Sequence, residues 1–266
     1  MDILSSLTYY SFSALLNFIT SLSMTIIILV KNPKPLANKI FTIFTLSVVE
    51  WSLFYLLWLN APNKELAGFY MRTCMIGVIF MPPLFTHFVL SLLSKKMNKI
   101  LLAGNYLLSV FLAATVYSSL FAKEGGASPP FAYWLLPGHL FHIHLIHFGI
   151  NILYSEYLMF NFIKQSQGMF RNQVIYLFFG TFIGFLAGMT NYFYWYRIPI
   201  PPLLNILVPL YVILVTYAIM KYKLMEISIV LKRGTVYTAG LLLVLIPTYL
   251  ILLWTQNIFF KTINIS

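Results

Sequence analysis

Long apolar runs that recur along the whole chain constrain its fold more than any other feature of the sequence. A run of about 18 or more residues can cross a bilayer as a helix, because each helical residue adds about 1.5 Å. A soluble domain of 266 residues, 60% hydrophobic and only 9% charged, would lack the charge needed to cover its surface. The sequence therefore predicts an all-α fold, a polytopic membrane helix bundle.

Eight spans are predicted, and helix-breaking residues lie between several of them. The breakers are KNPKP from Lys31, APNK from Ala61, EGGASPP from Glu124 and IPIPP from Ile198. We divide the chain into a seven-helix domain, residues 1–233, and an eighth helix with a short tail, residues 234–266. The predicted spans are Leu7–Val30, Asn38–Leu59, Leu66–Leu93, Ile100–Phe121, His139–Phe160, Gln173–Tyr194, Pro202–Met220 and Thr235–Trp254.

The basic residues of the loops indicate the orientation in the membrane. They are concentrated after the first, third, fifth and seventh spans, and the other loops contain only Lys64, Lys123 and Arg197. The positive-inside rule then places the N-terminus outside, and the net charge of +11 needs no nucleic-acid partner. The residues assigned to the cytoplasmic side are Lys31, Lys34, Lys39, Lys95, Lys96, Lys99, Lys164, Arg171, Lys221, Lys223, Lys232 and Arg233.

Polar side chains inside the spans are the candidate functional residues, because each costs free energy in lipid unless it is partnered or wet. Glu50 and Arg72 fall at nearly the same depth on spans joined by a short loop, so we expect them to pair. The pair would form either the floor of an outward-facing pocket or a structural ion pair. The alternative is that Arg72 does not pair and instead extends to the outer membrane surface. The residues expected to line one ligand pocket are Glu50, Trp51, Arg72, His144, His147, Asn191 and Asn205.

The fifth span begins with HLFHIHLIH, in which His144 and His147 share a helical face with Asn151. This face predicts a polar stripe towards the bundle, a ligand or proton contact, or metal or haem ligation. We predict no metal site and no cofactor, because no Cys, Asp or Glu within sequence reach completes a set of ligands.

The sixth span contains GTFIGFLAG, and its small residues recur every four positions. Small residues at this spacing let two membrane helices approach closely. We therefore predict that Gly180, Gly184 and Gly188 form a helix-packing surface.

Several catalytic and light-driven classes are excluded by missing residues. The sequence has no HExxH pair, no GxSxG elbow and no phosphate-binding glycine loop. The seventh span has no central lysine for a retinal Schiff base. We therefore do not expect an enzyme or a rhodopsin.

A basic, loosely amphipathic stretch, YAIMKYKLMEISIVLKRG, follows the seventh span. It predicts either a short interfacial helix that transmits a signal or a loop that only sets topology. The residues assigned to this signal junction are Tyr217, Lys221, Lys223 and Glu226.

Four stretches carry a resemblance over about residues 10–233. They are NKIFTIFTLSVVEWSLFYLL from Asn38, GVIFMPPLFTHFVL from Gly77, RNQVIYLFFGTFIGFLAGMTNY from Arg171 and LVPLYVILVTYAIMKYKLMEISIVLKRGTVY from Leu207. Together they resemble the seven-helix sensory region at the N-terminus of bacterial histidine kinases. The positions that match recurring family residues are Asn38, Trp51, Arg72, Pro82, Gly180, Gly184, Asn191, Tyr217 and Ala218.

The resemblance implies a sensory input module in a bacterial inner or plasma membrane. Such a module would detect a small amphipathic ligand or a membrane state and signal through span seven to a separate cytoplasmic protein. The resemblance to sensor kinases also implies a homodimer. The predicted eighth span stands where kinases continue into their transmitter, so we expect no kinase activity here, or an interrupted kinase. The alternative is a small transporter or channel subunit, which predicts inverted repeats and broken helices.

Overall fold

Helices dominate the computed structural model, which describes residues 9–96, 98–129 and 131–222, with side chains to Ala218. From Tyr10 on, the described residues form one compact unit. The predicted eighth span, Thr235–Trp254, lies outside them. The elements are α1 (Tyr9–Lys31), α2 (Leu36–Leu59), α3 (Lys64–Leu92), α4 (Lys99–Ala114), β1 (Ala122–Ser128), β2 (Phe131–Pro137), α5 (His139–Gln165), α6 (Gly168–Met189), α7 (Tyr192–Trp195), a 3-10 helix (Leu203–Leu207) and α8 (Leu210–Tyr222).

Four of the described helical segments are long and apolar enough to cross a membrane. They are α1, α2, α3 and the segment Gly168–Trp195, while Lys99–Ala114 and Leu203–Ala218 are apolar but shorter. The first three helices begin and end within a few residues of the predicted spans, because prolines and polar residues bound each apolar run.

The α2–α3 pair forms the centre of the bundle. Asn63 caps α3 by accepting a hydrogen bond from the backbone of Leu66 (2.9 Å), so a short turn can join the two helices. The rings of Phe41 and Phe88 pack between the helices with their centroids 4.5 Å apart. Helix α3 also packs on α4 and α5, and α6 packs on α8.

The fourth helix ends earlier than predicted, and a β-hairpin follows it. We expected a span to Phe121, but α4 ends at Ala114, where the hydroxyls of Thr115 and Ser118 bond the preceding turn. The strands β1 and β2 pair antiparallel, with Ala122 opposite Pro137. The sequence analysis identified only a turn in this region.

The sixth helix is also shorter at its end than predicted. It stops at Met189 rather than Tyr194, and the chain makes the short helix α7 before a proline-rich turn. Arg197 has a φ of 58°, in the left-handed region that non-glycine residues rarely adopt. The prolines that follow cannot donate backbone hydrogen bonds, so a regular helix resumes only at Leu210.

Candidate ligand cavity

A cavity of about 90 Å³ lies among α2, α3, β2, α5, α6, α7 and the residues that begin α8. Aromatic side chains make up much of its wall, including Trp51, Trp134 and Tyr192. Among the residues that the structure describes, no charged side chain and no histidine lines it. A small apolar space with few polar groups is the usual character of a ligand pocket.

The β-hairpin forms part of one wall of this cavity. Trp134 of β2 lines the cavity and is only 1% exposed. Its ring meets the ring of Trp58 edge-on, with centroids 4.7 Å apart, and Phe131 stacks on Trp58 at 5.5 Å. Tyr194 of α7 packs against both Phe131 and Trp134 at 5.0 Å. This aromatic cluster joins the hairpin to the end of α2 and to α7.

An ion pair between Arg72 and Glu124 connects the hairpin to α3. The guanidinium donates to the Glu124 carboxylate at 2.7 Å and to the backbone oxygen of Ala122 at 3.3 Å. The predicted pairing of Arg72 with Glu50 is therefore wrong. Glu124 lies in a segment treated only as a turn, so its role as the partner was missed.

The surroundings of Glu124 favour its charged form. The Arg72 guanidinium and the Tyr133 hydroxyl, which donates to Glu124 at 2.9 Å, hold the pKa of Glu124 below its ordinary value of 4.5. Burial and the neighbouring carboxylate raise the pKa of Tyr133 above its ordinary value of 10.0. The contact is thus strongest with Glu124 ionised and Tyr133 neutral.

Three further hydrogen bonds attach the turn end of the hairpin, and a fourth holds strand β2. Arg197 donates to the backbone oxygen of Ala127 at 3.1 Å and also to the hydroxyl of Ser128. The Tyr194 hydroxyl donates to the backbone oxygen of Pro129 at 3.0 Å. The Trp58 indole donates to the backbone oxygen of Tyr133 at 3.2 Å. The hairpin is therefore fastened at both ends and through its aromatic face.

Four of the residues predicted to bind ligand lie in or directly behind the cavity wall. Trp51 and Asn191 line the cavity. Asn205 exchanges hydrogen bonds with Asn191. His144 bonds the hydroxyl of Tyr192 at 2.9 Å and so lies one residue behind the wall.

His147 belongs to a different cluster, between α3, α4 and α5. Its ring bonds the side chain of Asn105, which also donates to Asn151 at 2.6 Å. The hydroxyl of Thr86 donates to Asn151 at 2.9 Å and meets Ser155 at the same distance. Among the described residues, no group of His, Cys, Asp and Glu could hold a metal ion.

Glu50 lines a separate groove of about 540 Å³ between α2, α3 and α4, which shares no residue with the central cavity. Its carboxylate lies against Gly77, and neither oxygen makes a hydrogen bond to the described residues. With Arg72 at the hairpin and His147 in its own cluster, the structure separates residues that we expected in one pocket.

The glycines of α6 differ in their surroundings. A Cβ added at Gly180 would lie 3.2 Å from the Tyr211 backbone of α8, and one at Gly184 would lie 3.5 Å from the Tyr211 side chain. A Cβ at Gly188 would meet none of the described residues within 4 Å, although Gly188 lines the cavity. Two of the three glycines thus lie under α8.

A polar stripe on α1 was missed in the sequence analysis. Ser21 bonds the hydroxyl of Tyr211 at 2.9 Å, and Asn17 donates to the backbone oxygen of Asn205 at 3.3 Å. Thr25 donates to Thr45 of α2 at 2.7 Å. The spacing of four between these α1 residues was a readable signal, because it places them on one helical face.

The signal junction is described only in part. Tyr217 lies in α8, where its ring meets Tyr176 with centroids 4.8 Å apart. Lys221 lies in the last turn of α8. Lys223 and Glu226 lie outside the described residues.

A family model described as the N-terminal 7TM region of histidine kinase matches residues 14–228 of the chain. This match confirms the resemblance drawn from the four sequence stretches. No curated protein and no solved structure matches the chain.

Proposed function

Because this chain belongs to the family of N-terminal 7TM regions of histidine kinases, a multi-pass membrane module for signal input, we propose that a small molecule in the central cavity is its stimulus. The observation that carries this proposal is that Tyr211 in the first turn of α8, together with Val208 just before that helix, is part of the cavity wall. Occupancy of the cavity would therefore act directly on the helix that leads to the junction.

Close packing around Tyr211 supports a route for the signal. Its hydroxyl bonds Ser21 of α1, and its backbone lies against Gly180 of α6. Both contacts would pass a displacement of Tyr211 on to its neighbours. Closely packed interfaces do not deform continuously but change between discrete arrangements. A shift of Tyr211 would thus move α8 relative to its neighbours.

The orientation and the partners belong to this proposal. We infer an N-terminus outside the cell membrane from the basic loops, which places the end of α8 on the cytoplasmic side. The output would be a separate cytoplasmic signalling protein, contacted by the junction. Assembly as a homodimer follows from the family's role in kinases and is part of the same proposal.

The test fills the cavity by a substitution and measures the distance between α8 and α5. The variant Gly188→Val extends methyl groups from a cavity-lining position where a Cβ has no neighbour within 4 Å. Spin labels at Thr216→Cys on α8 and Leu153→Cys on α5 report the distance between the helices in nanodiscs. Cys74 is buried and is not expected to react with the label. We expect a change of about 1–2 Å, the usual size of signalling helix shifts.

The matched control is Gly149→Val on α5, where a Cβ also meets nothing within 4 Å but which does not line the cavity. It should leave the distance unchanged. If Gly188→Val also leaves the distance unchanged, the cavity is not coupled to α8 and the proposal is overturned. Saturable solute uptake into proteoliposomes would instead support the alternative of a transporter or channel subunit.

A further inference from the structure

The groove that Glu50 lines opens on the side of the bundle, between α2, α3 and α4, and measures about 540 Å³. Ile43 and Leu46 on its α2 wall are 52% and 43% exposed, so the groove is open to the bilayer. Ile76 and Phe80 continue the apolar wall on α3. An open apolar groove on a membrane protein is accessible to the lipids around it.

The groove is about as long as one leaflet of a bilayer is thick. Lys39, Ile43, Leu46 and Glu50 are three or four residues apart, so they share one face of α2. Glu50 follows Lys39 by 11 positions, which is roughly 16 Å at about 1.5 Å per helical residue. Half of a hydrocarbon core of ~30 Å is about 15 Å. One acyl chain of a phospholipid therefore matches the groove in length.

The groove has one end at which three helix ends meet. Helices α2 and α4 begin there and α3 ends there. The ring of Phe41, near the start of α2, lies 4.5 Å from the ring of Phe88, near the end of α3. The His87 ring of α3 is hydrogen-bonded to the Tyr106 hydroxyl of α4 at 3.0 Å, and both residues line the groove.

Exposed lysines surround this end, which we call the basic end of the groove. Lys39 lies near the start of α2, Lys99 begins α4, and Lys95 and Lys96 lie between α3 and α4. Lys99 precedes Tyr106 by seven positions, so the two share a face of α4. The lysines of α2 and α4 thus continue the same helix faces that form the groove.

No acidic side chain of the described chain balances the basic end. The four lysines form no ion pair with any residue that the structure places, and the recorded ion pair joins Arg72 to Glu124 at the hairpin. Glu50 lies at the far end of the groove, with both carboxylate oxygens buried. The amino ends of α2 and α4 add the positive ends of their helix dipoles. A negatively charged group is therefore favoured at the basic end.

Basic residues at a membrane boundary also set topology without binding any particular lipid. Lys164, at the end of α5, has this simpler character, because its ammonium lies over the Phe160 ring at 4.4 Å and no groove residue belongs to α5. Lys39 and Lys99 differ from Lys164 because a leaflet-long apolar groove leads to them. The combination of groove and charge is what a single bound phospholipid requires.

We propose that the groove holds one anionic phospholipid, with an acyl chain along α2 and α3 and its phosphate among Lys39, Lys95 and Lys99. The bilayer is itself apolar, so the groove positions the chain by packing, and the lysines supply the preference for negative charge. With the orientation inferred above, the basic end meets the cytoplasmic leaflet, which carries anionic lipids. The proposal does not depend on what the central cavity binds.

Native mass spectrometry of the full chain, released from detergent micelles, tests this proposal by counting bound lipids. Phosphatidylglycerol and phosphatidylcholine with the same two acyl chains are titrated in separate experiments. We expect a single phosphatidylglycerol to bind at least about fivefold more tightly than phosphatidylcholine, because one lysine near an anionic headgroup contributes about that factor. This comparison uses the wild-type chain and does not depend on the folding of any variant.

A pair of double variants locates the headgroup. Lys39→Gln with Lys99→Gln should reduce the affinity for phosphatidylglycerol to that for phosphatidylcholine. Lys31→Gln with Lys164→Gln also removes two exposed lysines, but from α1 and α5, which do not line the groove. This control should keep the preference for phosphatidylglycerol.

A pair of single variants locates the acyl chain. Ile43→Trp fills part of the groove and should abolish the bound lipid for both headgroups. Ile26→Trp makes the same change on α1, at a residue that is also 52% exposed but does not line the groove. Lipid binding to Ile26→Trp should equal that of the wild type.

Four results would overturn the proposal. Equal affinity of the wild type for the two lipids would mean that the headgroup charge is not read. Equal loss of preference in the two lysine double variants would assign it to the general surface charge. Retention of the lipid by Ile43→Trp would place the chain outside the groove. Displacement of phosphatidylglycerol by glycerol 3-phosphate, which has no acyl chain, would make this a site for free phosphate compounds. The spin-label distances in Gly188→Val decide the proposed function separately.

Discussion

Asn191 and Asn205 exchange two side-chain hydrogen bonds, 2.8 Å and 3.1 Å long, across the turn between α6 and α8. Asn191 lines the cavity and also accepts from the Tyr55 hydroxyl of α2. Asn205 in turn accepts from Asn17 of α1 through its backbone oxygen. The pair therefore joins the cavity wall to α1 and α2.

The amide pair should show measurable coupling. Asn191→Leu or Asn205→Leu leaves a buried amide without its partner, so each should lower the free energy of unfolding by about 1–3 kcal/mol. The double variant should lower it by less than the sum, with a coupling of about 1 kcal/mol. Unfolding by SDS in mixed micelles measures these values. The exposed Ser23→Ala should have no effect, and strict additivity of the two asparagine variants would contradict the pairing.

The ion pair of the hairpin should protect it from proteolysis. Lys123 lies exposed in β1, beside Glu124, and trypsin cleaves there only when the strand opens. Arg72→Met and Glu124→Gln should each raise the cleavage rate at Lys123 by about two- to fivefold, the effect of one partly exposed ion pair. The double variant should be no faster than the faster single variant.

The control for this experiment makes the same chemical change elsewhere. Glu65→Gln alters an exposed glutamate in the first turn of α3 that is not part of the hairpin ion pair. It should leave the cleavage rate at Lys123 unchanged. Equal rates for Glu124→Gln and the wild type would show that the ion pair does not hold the hairpin.

Acid should release the hairpin through Glu124. Its pKa in the folded protein lies below 4.5, chiefly because Arg72 and Tyr133 bond the charged form. The contact is therefore fully present above about pH 4.5 and is lost as the pH falls through the lowered value. Quenching of tryptophan fluorescence by acrylamide should increase in this acid range, because Trp134 becomes accessible. If the Glu124→Gln protein showed the same acid transition, the transition would belong to another titratable group.

Apolar periodicity was sufficient for the first three helices but not for the hairpin. The runs of α1, α2 and α3 end at prolines and polar residues, so their bounds could be predicted. Strand β2 is FAYWLLP, an apolar and aromatic sequence that also suits a membrane boundary. Its pairing with the glycine-containing strand β1 depends on long-range packing, which local pattern does not reveal.

The sequence predicted some of the polar residues at the cavity but not their arrangement, and Glu50, Arg72 and His147 lie elsewhere. Polar residues in apolar spans were a sound guide to Asn191 and His144, because buried polar groups need partners. The equal depth that the sequence predicts for Glu50 and Arg72 did not identify partners, since Arg72 pairs with Glu124 of the hairpin and Glu50 lines a separate groove. Depth gives only the position of a residue along the membrane normal. The rotation of each helix about its own axis decides which side chains meet.

The contact between Gly77 and α2 gives a sharp test of this packing. A Cβ at Gly77 would lie 2.5 Å from the backbone oxygen of Ser47 and would also press on the Glu50 carboxylate. Because a backbone atom cannot move aside easily, Gly77→Ala should lower the free energy of unfolding by about 1–3 kcal/mol. Gly104→Ala on α4 meets nothing within 4 Å and should cost nothing. The same SDS unfolding assay compares the two variants.

A second replacement separates the two contacts at Gly77. Glu50→Ala removes the carboxylate but leaves the Ser47 backbone in place, so it should recover only part of the stability lost in Gly77→Ala. Full recovery of the lost stability would mean that only the Glu50 carboxylate, and not the Ser47 backbone, excludes a Cβ at position 77. Equal stability of Gly77→Ala and Gly104→Ala would mean that α2 and α3 are farther apart in the membrane than the structure places them.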